Sequence, residues 1–206
     1  MKKSFVLIVC LLSIYAVFAQ KNPHTLVGQG VEFVSGFGAF NIGFTRIDGN
    51  VVTMLGGEGA ILINNSFYIG GYGMGMSDDL SQIHVHPIEG PITYNVDFAH
   101  GGAYMGYMIN TEGLIHFGLS TKVGWGNVWV HKNIFFEDDN LFPNNVNDGM
   151  LIVNPQAEVE LNVANWCRIN FGAGYQLTNG IANRYYTDSD FSGVNYQLKF
   201  MFGWFR

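Results

Sequence analysis

Residues 194–204 read VNYQLKFMFGW, and their side chains alternate between an apolar and a polar set. Successive side chains of a β-strand point to opposite faces, so residues two apart share a face. The apolar face consists of Val194, Tyr196, Leu198, Phe200, Phe202 and Trp204. The opposite face consists of Asn195, Gln197, Lys199 and Gly203. The pattern therefore predicts a strand with one apolar and one polar face.

The same alternation recurs through the chain. In the stretch before the last one, an apolar set with Ile169, Phe171 and Tyr175 opposes a polar set with Arg168 and Asn170. The rule predicts eight strands, at 31–44, 51–63, 66–76, 92–108, 114–126, 151–163, 166–178 and 193–205.

Short and long connections alternate between these strands. Tight turns are predicted at 64–65, 110–113 and 164–165, where Asn and Gly residues supply the positive φ angles that such turns need. The first hairpin, at Asp48-Gly49, is also short. Short turns at one end and longer loops at the other are typical of bacterial outer-membrane barrels, whose short turns and termini lie in the periplasm. The longer loops are predicted at 77–91, 127–149 and 179–192.

The composition is unusual for a soluble protein, because only 13% of the residues are charged where typical soluble domains carry about a quarter. No stretch after residue 19 has the length and apolarity of a spanning helix, and a closed barrel is the other structure that satisfies its own backbone in hydrocarbon. We therefore expect an all-β chain that forms a closed antiparallel up-and-down barrel of about eight strands and spans a membrane. Glycine runs at 56–60 and 70–75 indicate tight curvature or a crowded lumen.

The N-terminal residues predict export. Lys2 and Lys3 precede an apolar run that ends with Val17 and Ala19 at the positions a signal peptidase reads. This pattern predicts a signal peptide over 1–19 and a barrel domain over 20–206, whereas a retained membrane helix would lack the cleavage-like end. The net charge of −6, without a basic cluster, argues against a nucleic acid as a partner.

The apolar face of each strand could point to lipid or, as in a soluble lipocalin-like barrel, inward. The interior of an eight-stranded barrel is only just wide enough for side chains, so five or six large residues from every strand would overfill it. We therefore expect the aromatic face outside and outer-membrane lipid around it. The aromatic residues expected at the two membrane interfaces are Tyr68, Tyr104, Trp125, Trp129, Tyr175, Tyr196 and Trp204.

The opposite face predicts a narrow polar lumen. Unpaired charges there would be costly, so we expect a network of salt bridges that plugs the barrel, with Arg168 paired to Glu158 or Glu160. A proton path or gate is the functional alternative for the same groups. The predicted lumen residues are Glu58, Asp97, His116, Lys122, Glu158, Glu160, Arg168 and Lys199.

In this pattern the chain resembles the small outer-membrane barrels of the OmpX and OmpA-transmembrane-domain kind, over its whole length after the signal peptide. The most specific part is the last strand, since these proteins end in alternating hydrophobics closed by an aromatic residue, which the barrel-assembly machinery reads. Here Phe205 and Arg206 follow Trp204. The resemblance implies a cell-envelope protein of a Gram-negative bacterium. Family members act as structural proteins, adhesins or defence factors through their loops, and a few are lipid-modifying enzymes.

Signals for chemistry are weak. His84 and His86 have the spacing that lets two strand side chains reach one metal, but no third ligand is indicated, and no cofactor is expected. His116 and Ser120 lie too far apart on an extended strand to touch, so we expect no catalytic residues and no enzyme. The favoured hypothesis is a non-enzymatic barrel that contacts a partner through its long loops or joins a larger assembly. A narrow channel, a small-ligand carrier and, less favoured, a lipid-modifying enzyme are the alternatives.

Overall fold

The computed structural model describes residues 33–78, 80–86, 90–132, 145–182 and 186–205, with the side chains of 82–94, 131–132 and 145–146 outside the description. The expected signal peptide, residues 1–19, lies outside the described residues, as do residues 20–32. Within the described ranges, no helix has the length and apolarity needed to cross a membrane.

The described residues form a single antiparallel sheet that closes on itself. Its strands are β1 (Val34–Ile47), β2 (Asn50–Ile63), β3 (Phe67–Met76), β4 (Leu80–His86), β5 (Gly90–Ile109), β6 (Ile115–Lys132), β7 (Asn145–Ala164), β8 (Cys167–Asn179) and β9 (Gly193–Gly203). β3 and β4 both pair with β5, one after the other along its length, so together they occupy one position in the barrel. β9 pairs with β1. The prediction of a closed eight-stranded up-and-down barrel is confirmed.

The turns predicted at Asp48-Gly49 and Asn64-Asn65 have the expected positive φ angles. Asp48 and Gly49 have φ angles of 48° and 78°, and Asn64 and Asn65 have 50° and 55°. Consecutive positive φ angles occur in tight hairpin turns, and Asn, Asp and Gly tolerate them best. Asn110 also has a positive φ angle, of 58°, whereas Ala164 and Asn165 do not. The ends of β2, β5 and β7 lie with both ends of the described chain at one end of the barrel, which we call the turn side. The opposite end is the loop side.

The strands extend further toward the loop side than the alternation predicts. β4 lies inside the predicted loop 77–91, while β6 and β7 extend into the predicted loop 127–149. Beyond an apolar band both faces of a strand can be polar, so the alternation disappears although the backbone pairing continues. Residues 133–144 lie outside the described residues.

The barrel interior has three layers. Charged and amide side chains fill the middle, and apolar layers close both ends. The loop-side layer contains Ile47, Val52, Val96, Phe98, Val128, Val130, Met150, Ile152, Tyr186 and Phe191. The turn-side layer contains Phe37, Leu62, Met108, Met201 and Phe205.

Glycines make room for the large interior side chains. A Cβ atom at Gly124 would lie 2.7 Å from the Tyr72 hydroxyl, and one at Gly106 would overlap the ring of Tyr68. In the glycine-rich runs, a Cβ atom at Gly56 would overlap the Gly73 backbone and lie 2.8 Å from the Met74 side chain, whereas the exposed Gly73 has no atom within 4 Å of its Cβ position. Crowding therefore accounts for Gly56 and not for every glycine of these runs.

Candidate functional site

The lumen gathers seven of the eight predicted polar residues, each at most 7% exposed: Glu58, His116, Lys122, Glu158, Glu160, Arg168 and Lys199. They reach it from β2, β6, β7, β8 and β9, because their positions fall on the inward side of each strand. They separate into a central cluster and a turn-side cluster.

The central cluster contains two carboxylates and two ammonium groups. Lys199 Nζ lies 2.6 Å from Glu158 Oε1 and 3.2 Å from Glu58 Oε1, so it bridges the two acids. Lys122 Nζ lies 3.3 Å from Glu58 Oε2 and donates a 2.7 Å hydrogen bond to Gln197 Oε1. Each charge therefore faces an opposite charge across the lumen, which offsets the cost of removing it from water.

Neutral donors complete the surroundings of Glu158. The hydroxyls of Tyr68 and Ser120 each donate to its carboxylate over 2.7 Å, and the Asn170 amide donates over 3.2 Å. Asn41 donates to Glu58 in the same way, over 3.0 Å. These bonds fix the carboxylates in position and connect side chains of six strands through the barrel interior.

The turn-side cluster is built on Glu160. Arg168 Nη1 donates to Glu160 Oε1 over 2.7 Å, which confirms one of the two pairings expected for this arginine. His116 Nδ1 lies 3.2 Å from the same oxygen, and its Nε2 lies 2.8 Å from the Gly113 carbonyl oxygen. The Phe205 ring covers the Arg168 guanidinium at 4.1 Å and closes the turn side.

Asp97 was predicted in the lumen, and this prediction is wrong. Asp97 is exposed on the outer face of β5, while its neighbours Val96 and Phe98 point inward. Large residues occur on both faces of β5, so its alternation does not indicate which face is inside. The exterior is polar at this height, where Trp129 pairs with both Asp97 and Asn147.

Tyr68 and Tyr104 were predicted at a membrane interface, and this prediction is also wrong. They are 3% and 1% exposed, and their rings pack together inside the barrel with centroids 5.5 Å apart. The Tyr68 hydroxyl has a buried carboxylate partner there, which lipid would not provide. The other expected interface residues are at least partly exposed on the outside: Trp125, Trp129, Tyr175, Tyr196 and Trp204.

The β8–β9 connection folds into the loop-side mouth of the barrel, which the sequence did not indicate. Phe191 is 0% exposed and packs against Phe98 at 5.2 Å and Tyr186 at 5.7 Å between ring centroids. The backbone carbonyl of Phe191 accepts a 2.9 Å hydrogen bond from Gln176. Burial, reinforced by the nearby carboxylates of Asp48 and Asp190, raises the pKa of Tyr186 to about 12. The tyrosine therefore stays neutral at physiological pH.

The lumen holds more polar residues than the eight named for the predicted network. Asn195 and Gln197 lie on the polar face predicted for the last strand, but their partners lie on distant strands and could not be predicted. The further members are Asn41, Ser120, Asn154, Gln156, Asn170, Gln176, Asn195 and Gln197.

Among the described residues, the lumen does not bring Ser120 and His116 into contact. Ser120 donates to Glu158, whereas His116 faces Glu160, so these two side chains serve different carboxylates. No three His, Cys, Asp or Glu side chains of the described chain cluster closely enough to hold a metal ion. The side chains of His84 and His86, the weak metal candidates, lie outside the described residues.

Structural comparison finds similar barrels in known proteins. Ail, the attachment invasion locus protein of Yersinia pestis, in complex with the heparin analogue sucrose octasulfate, matches with a TM-score of 0.51 at 11% identity, over 83% of this chain and 98% of that chain. A second Ail structure matches with a TM-score of 0.47 at 12% identity, with coverages of 83% and 98%. Neisserial surface protein A matches with a TM-score of 0.47 at 7% identity, with coverages of 83% and 96%.

The likeness to the first of these structures shows that the chain has the fold of a small outer-membrane barrel, as the sequence resemblance implied. At this level of identity it shows the fold alone. No protein-family model and no curated protein matches the sequence.

Proposed function

We propose that this chain is an integral protein of the bacterial outer membrane that acts without enzymatic activity, through contacts made on its loop side or as a subunit of a larger assembly. We further propose that residues 1–19 are a signal peptide cleaved after Ala19. The proposal is carried by the contrast between the two faces of the barrel wall. The outer surface is apolar, whereas the lumen is closed and its charged side chains are paired with one another.

The outer surface supports a lipid environment. β1–β3 and β5–β9 each expose large hydrophobic side chains, which a water-facing barrel of this size would not tolerate. Trp125, Tyr175 and Tyr196 are exposed toward the loop side, while Trp166 and the 80% exposed Trp204 lie at the turn side. Their amphipathic rings suit the two membrane–water interfaces.

The interior argues against the alternative of a narrow channel. The described lumen holds three carboxylates, Glu58, Glu158 and Glu160, and three cations, Lys122, Arg168 and Lys199, bound to one another across its width. Phe205 covers one end and Phe191 the other. A conducting path would have to break these contacts, so a structural or surface-interaction role is favoured over transport.

The ligand named for Ail gives little guidance for this chain. Sucrose octasulfate is a polyanion, whereas the described loop-side charges here are mainly acidic. We therefore propose a partner that is uncharged or cationic at its contact surface.

Export and membrane insertion are tested on the full chain expressed in a Gram-negative host. We expect the protein in the outer-membrane fraction, with the mass of a chain that begins at Gln20. Its gel mobility should differ before and after boiling, because a folded barrel resists unfolding by detergent. Recovery from the soluble periplasmic fraction, with one mobility in both samples, would contradict the proposal.

The same purified barrel distinguishes the closed form from a channel. Reconstituted in a planar bilayer, it should give no stable conductance steps, while a general porin treated identically does. Stable, voltage-independent steps would favour the channel alternative and leave the membrane location intact.

A further inference from the structure

The wall of the barrel is interrupted between β1 and β9 on the loop side. The two strands pair from Phe37↔Gly203 to Phe44↔Tyr196, and the ladder stops there. β1 nevertheless continues to Ile47, paired with β2, and β9 begins at Gly193, paired with β8. Residues 45–47 and 193–195 therefore face each other without pairing, and we call this gap the window.

The window has defined edges. The Phe44↔Tyr196 pair closes it below, and the Asp48 N–H donates a 2.8 Å hydrogen bond to the Asp190 carbonyl above it. At about 3.3 Å per residue, three residues leave an opening roughly 10 Å long. The opening therefore has two defined ends, one closed by strand pairing and the other by a backbone hydrogen bond.

An apolar cleft of about 550 Å³ lies at the outer mouth of the window. This volume falls within the roughly 300–1,000 Å³ typical of small-molecule sites. Its hydrophobic walls include Phe44, Val51, Tyr175, Val194 and Tyr196, all exposed on the outer surface.

A small cavity of about 20 Å³, lined by amide side chains together with Met54 and Met74, lies at the inner mouth. It shares Phe44, Thr45 and Tyr196 with the outer cleft, so these residues lie between the two spaces. A space of this size accepts one group about as large as a water molecule. The outer cleft can therefore hold an apolar chain, and the inner cavity can hold only its polar end.

Buried polar atoms around the inner cavity lack partners among the described residues. Asn195 Nδ2 and Gln197 Nε2 are unused donors, and Asn154 Oδ1 and Gln156 Oε1 are unused acceptors. All four side chains line the cavity and are at most 5% exposed. Thr45 Oγ1, which lines both spaces, is also without a partner there. Buried polar atoms are nearly always hydrogen-bonded in native proteins, so this group points to a ligand atom in the cavity.

The charge of the residues that line the two spaces favours an anionic end group. Arg46 lines the outer cleft, and neither lining set contains Asp or Glu. A carboxylate oxygen would accept from the two unused amide donors, with Arg46 favouring negative charge at the outer rim. The head group of a two-chain phospholipid is much larger than the inner cavity.

We propose that the window is a lateral binding site for a single-chain fatty acid. The hydrocarbon chain lies in the outer cleft between Phe44, Tyr175 and Tyr196, and one carboxylate oxygen enters the window to accept from Asn195 and Gln197. This inference goes beyond the proposed function, and it depends on the barrel wall, not on any loop-side partner.

The test uses a photoreactive palmitic acid derivative with the folded full chain in lipid vesicles. We expect cross-links concentrated on the peptides around Phe44 and Val194, and competition by unlabelled palmitate but not by palmityl alcohol or added phospholipid. Labelling that spreads over the whole outer surface, or that phospholipid suppresses equally, would overturn the proposal by indicating general lipid contact.

Two matched glycine variants control for packing. A Cβ atom at Gly193 would lie 3.7 Å from Arg46 Cβ, so Gly193→Leu narrows the window without a clash at Cβ. Gly38→Leu adds the same side chain to the exposed face of β1, where the nearest atom is 3.9 Å away. We expect Gly193→Leu to reduce labelling about tenfold, equivalent to roughly 1.4 kcal/mol, and Gly38→Leu to leave it unchanged.

The boiled and unboiled gel mobility shows whether each variant folds. If Gly193→Leu does not fold, Arg46→Gln provides the test, since Arg46 is exposed and its replacement keeps the surface polar. It should weaken palmitate labelling and leave residual labelling by the alcohol analogue unaltered. If the tested variant is labelled as strongly as the wild type, the fatty-acid site is contradicted. The outer-membrane location would not be affected by that result, because fractionation tests it separately.

Discussion

Glu158 is the most heavily bonded side chain of the lumen. It accepts from Lys199 over 2.6 Å and from Tyr68 and Ser120 over 2.7 Å. Glu158 is only 2% exposed, so water cannot replace a lost hydrogen-bond partner without entering the barrel. Removing its charge leaves Lys199 with Glu58 as the one remaining carboxylate within salt-bridge distance among the described residues.

Replacing Glu158 by Gln should destabilise the folded barrel by about 3–5 kcal/mol, because the buried Lys122 and Lys199 then share Glu58 as their one carboxylate partner among the described residues. The measurement is urea unfolding in lipid vesicles. Glu112→Gln, at an exposed turn position, is the matched control and should change the free energy of unfolding by less than about 0.5 kcal/mol.

The double variant Glu158→Gln, Lys199→Met should recover part of this loss, with a coupling energy of about 0.5–3 kcal/mol. A single Glu158→Gln variant as stable as the wild type would contradict the assignment of the central cluster as the element that stabilises the lumen.

At the scale of elements, the β8–β9 connection is held against the barrel by Asp188. The Asp188 carboxylate accepts from the backbone N–H groups of Gly180 and Ile181 over 2.9 and 2.8 Å. Its backbone carbonyl accepts from the hydroxyls of Thr178 and Ser192 over 2.6 and 2.8 Å. These bonds position the connection so that Phe191 packs inside the mouth.

Asp188→Ala should loosen this connection without unfolding the barrel. Amide hydrogen exchange at residues 180 and 181 should accelerate roughly tenfold to a hundredfold, because a hydrogen bond to a charged acceptor contributes about 1.5–3 kcal/mol. Ser189→Ala is the control, since Ser189 is exposed and its hydroxyl contacts only the Thr187 hydroxyl among the described side chains. Unchanged exchange at 180 and 181, or acceleration throughout the strands, would contradict this role.

At the scale of the whole molecule, charge is distributed unevenly. The three carboxylates and three cations of the lumen compensate one another, so the net charge of −6 of the full sequence comes from residues outside this set. On the described loop side, Arg46 is accompanied by several carboxylates: Asp48, Asp78, Asp97, Asp148, Asp188 and Asp190. A surface of this kind repels polyanions at low ionic strength.

We therefore expect no binding of sucrose octasulfate by the purified barrel in detergent. Titration calorimetry at low salt should give only the heat of dilution, since screening is weakest there and any attraction would be strongest. Saturable binding that disappears with added salt would contradict the expected acidic character of the loop side.

The alternation in the last strands and the turn residues determined the strand count, the antiparallel order and the side of the short turns. On β9, large apolar residues alternate with polar ones and share one face. That face must point outward, because the lumen of an eight-stranded barrel is too narrow to hold it. For the same reason the inward positions of Glu158, Arg168 and Lys199 could be predicted from the sequence, and Arg168–Glu160 was one of two expected pairs.

Only the tertiary structure decided the faces of β3 and β5, the packing of Phe191 in the mouth and the window between β1 and β9. Side chains from all the strands fill one interior volume. Tyr68 and Tyr104 can therefore point inward only where the neighbouring strands carry small residues such as Gly106. Such compensation joins residues far apart in the chain, and no local pattern contains it. The window likewise depends on where two strands at opposite ends of the barrel domain stop pairing.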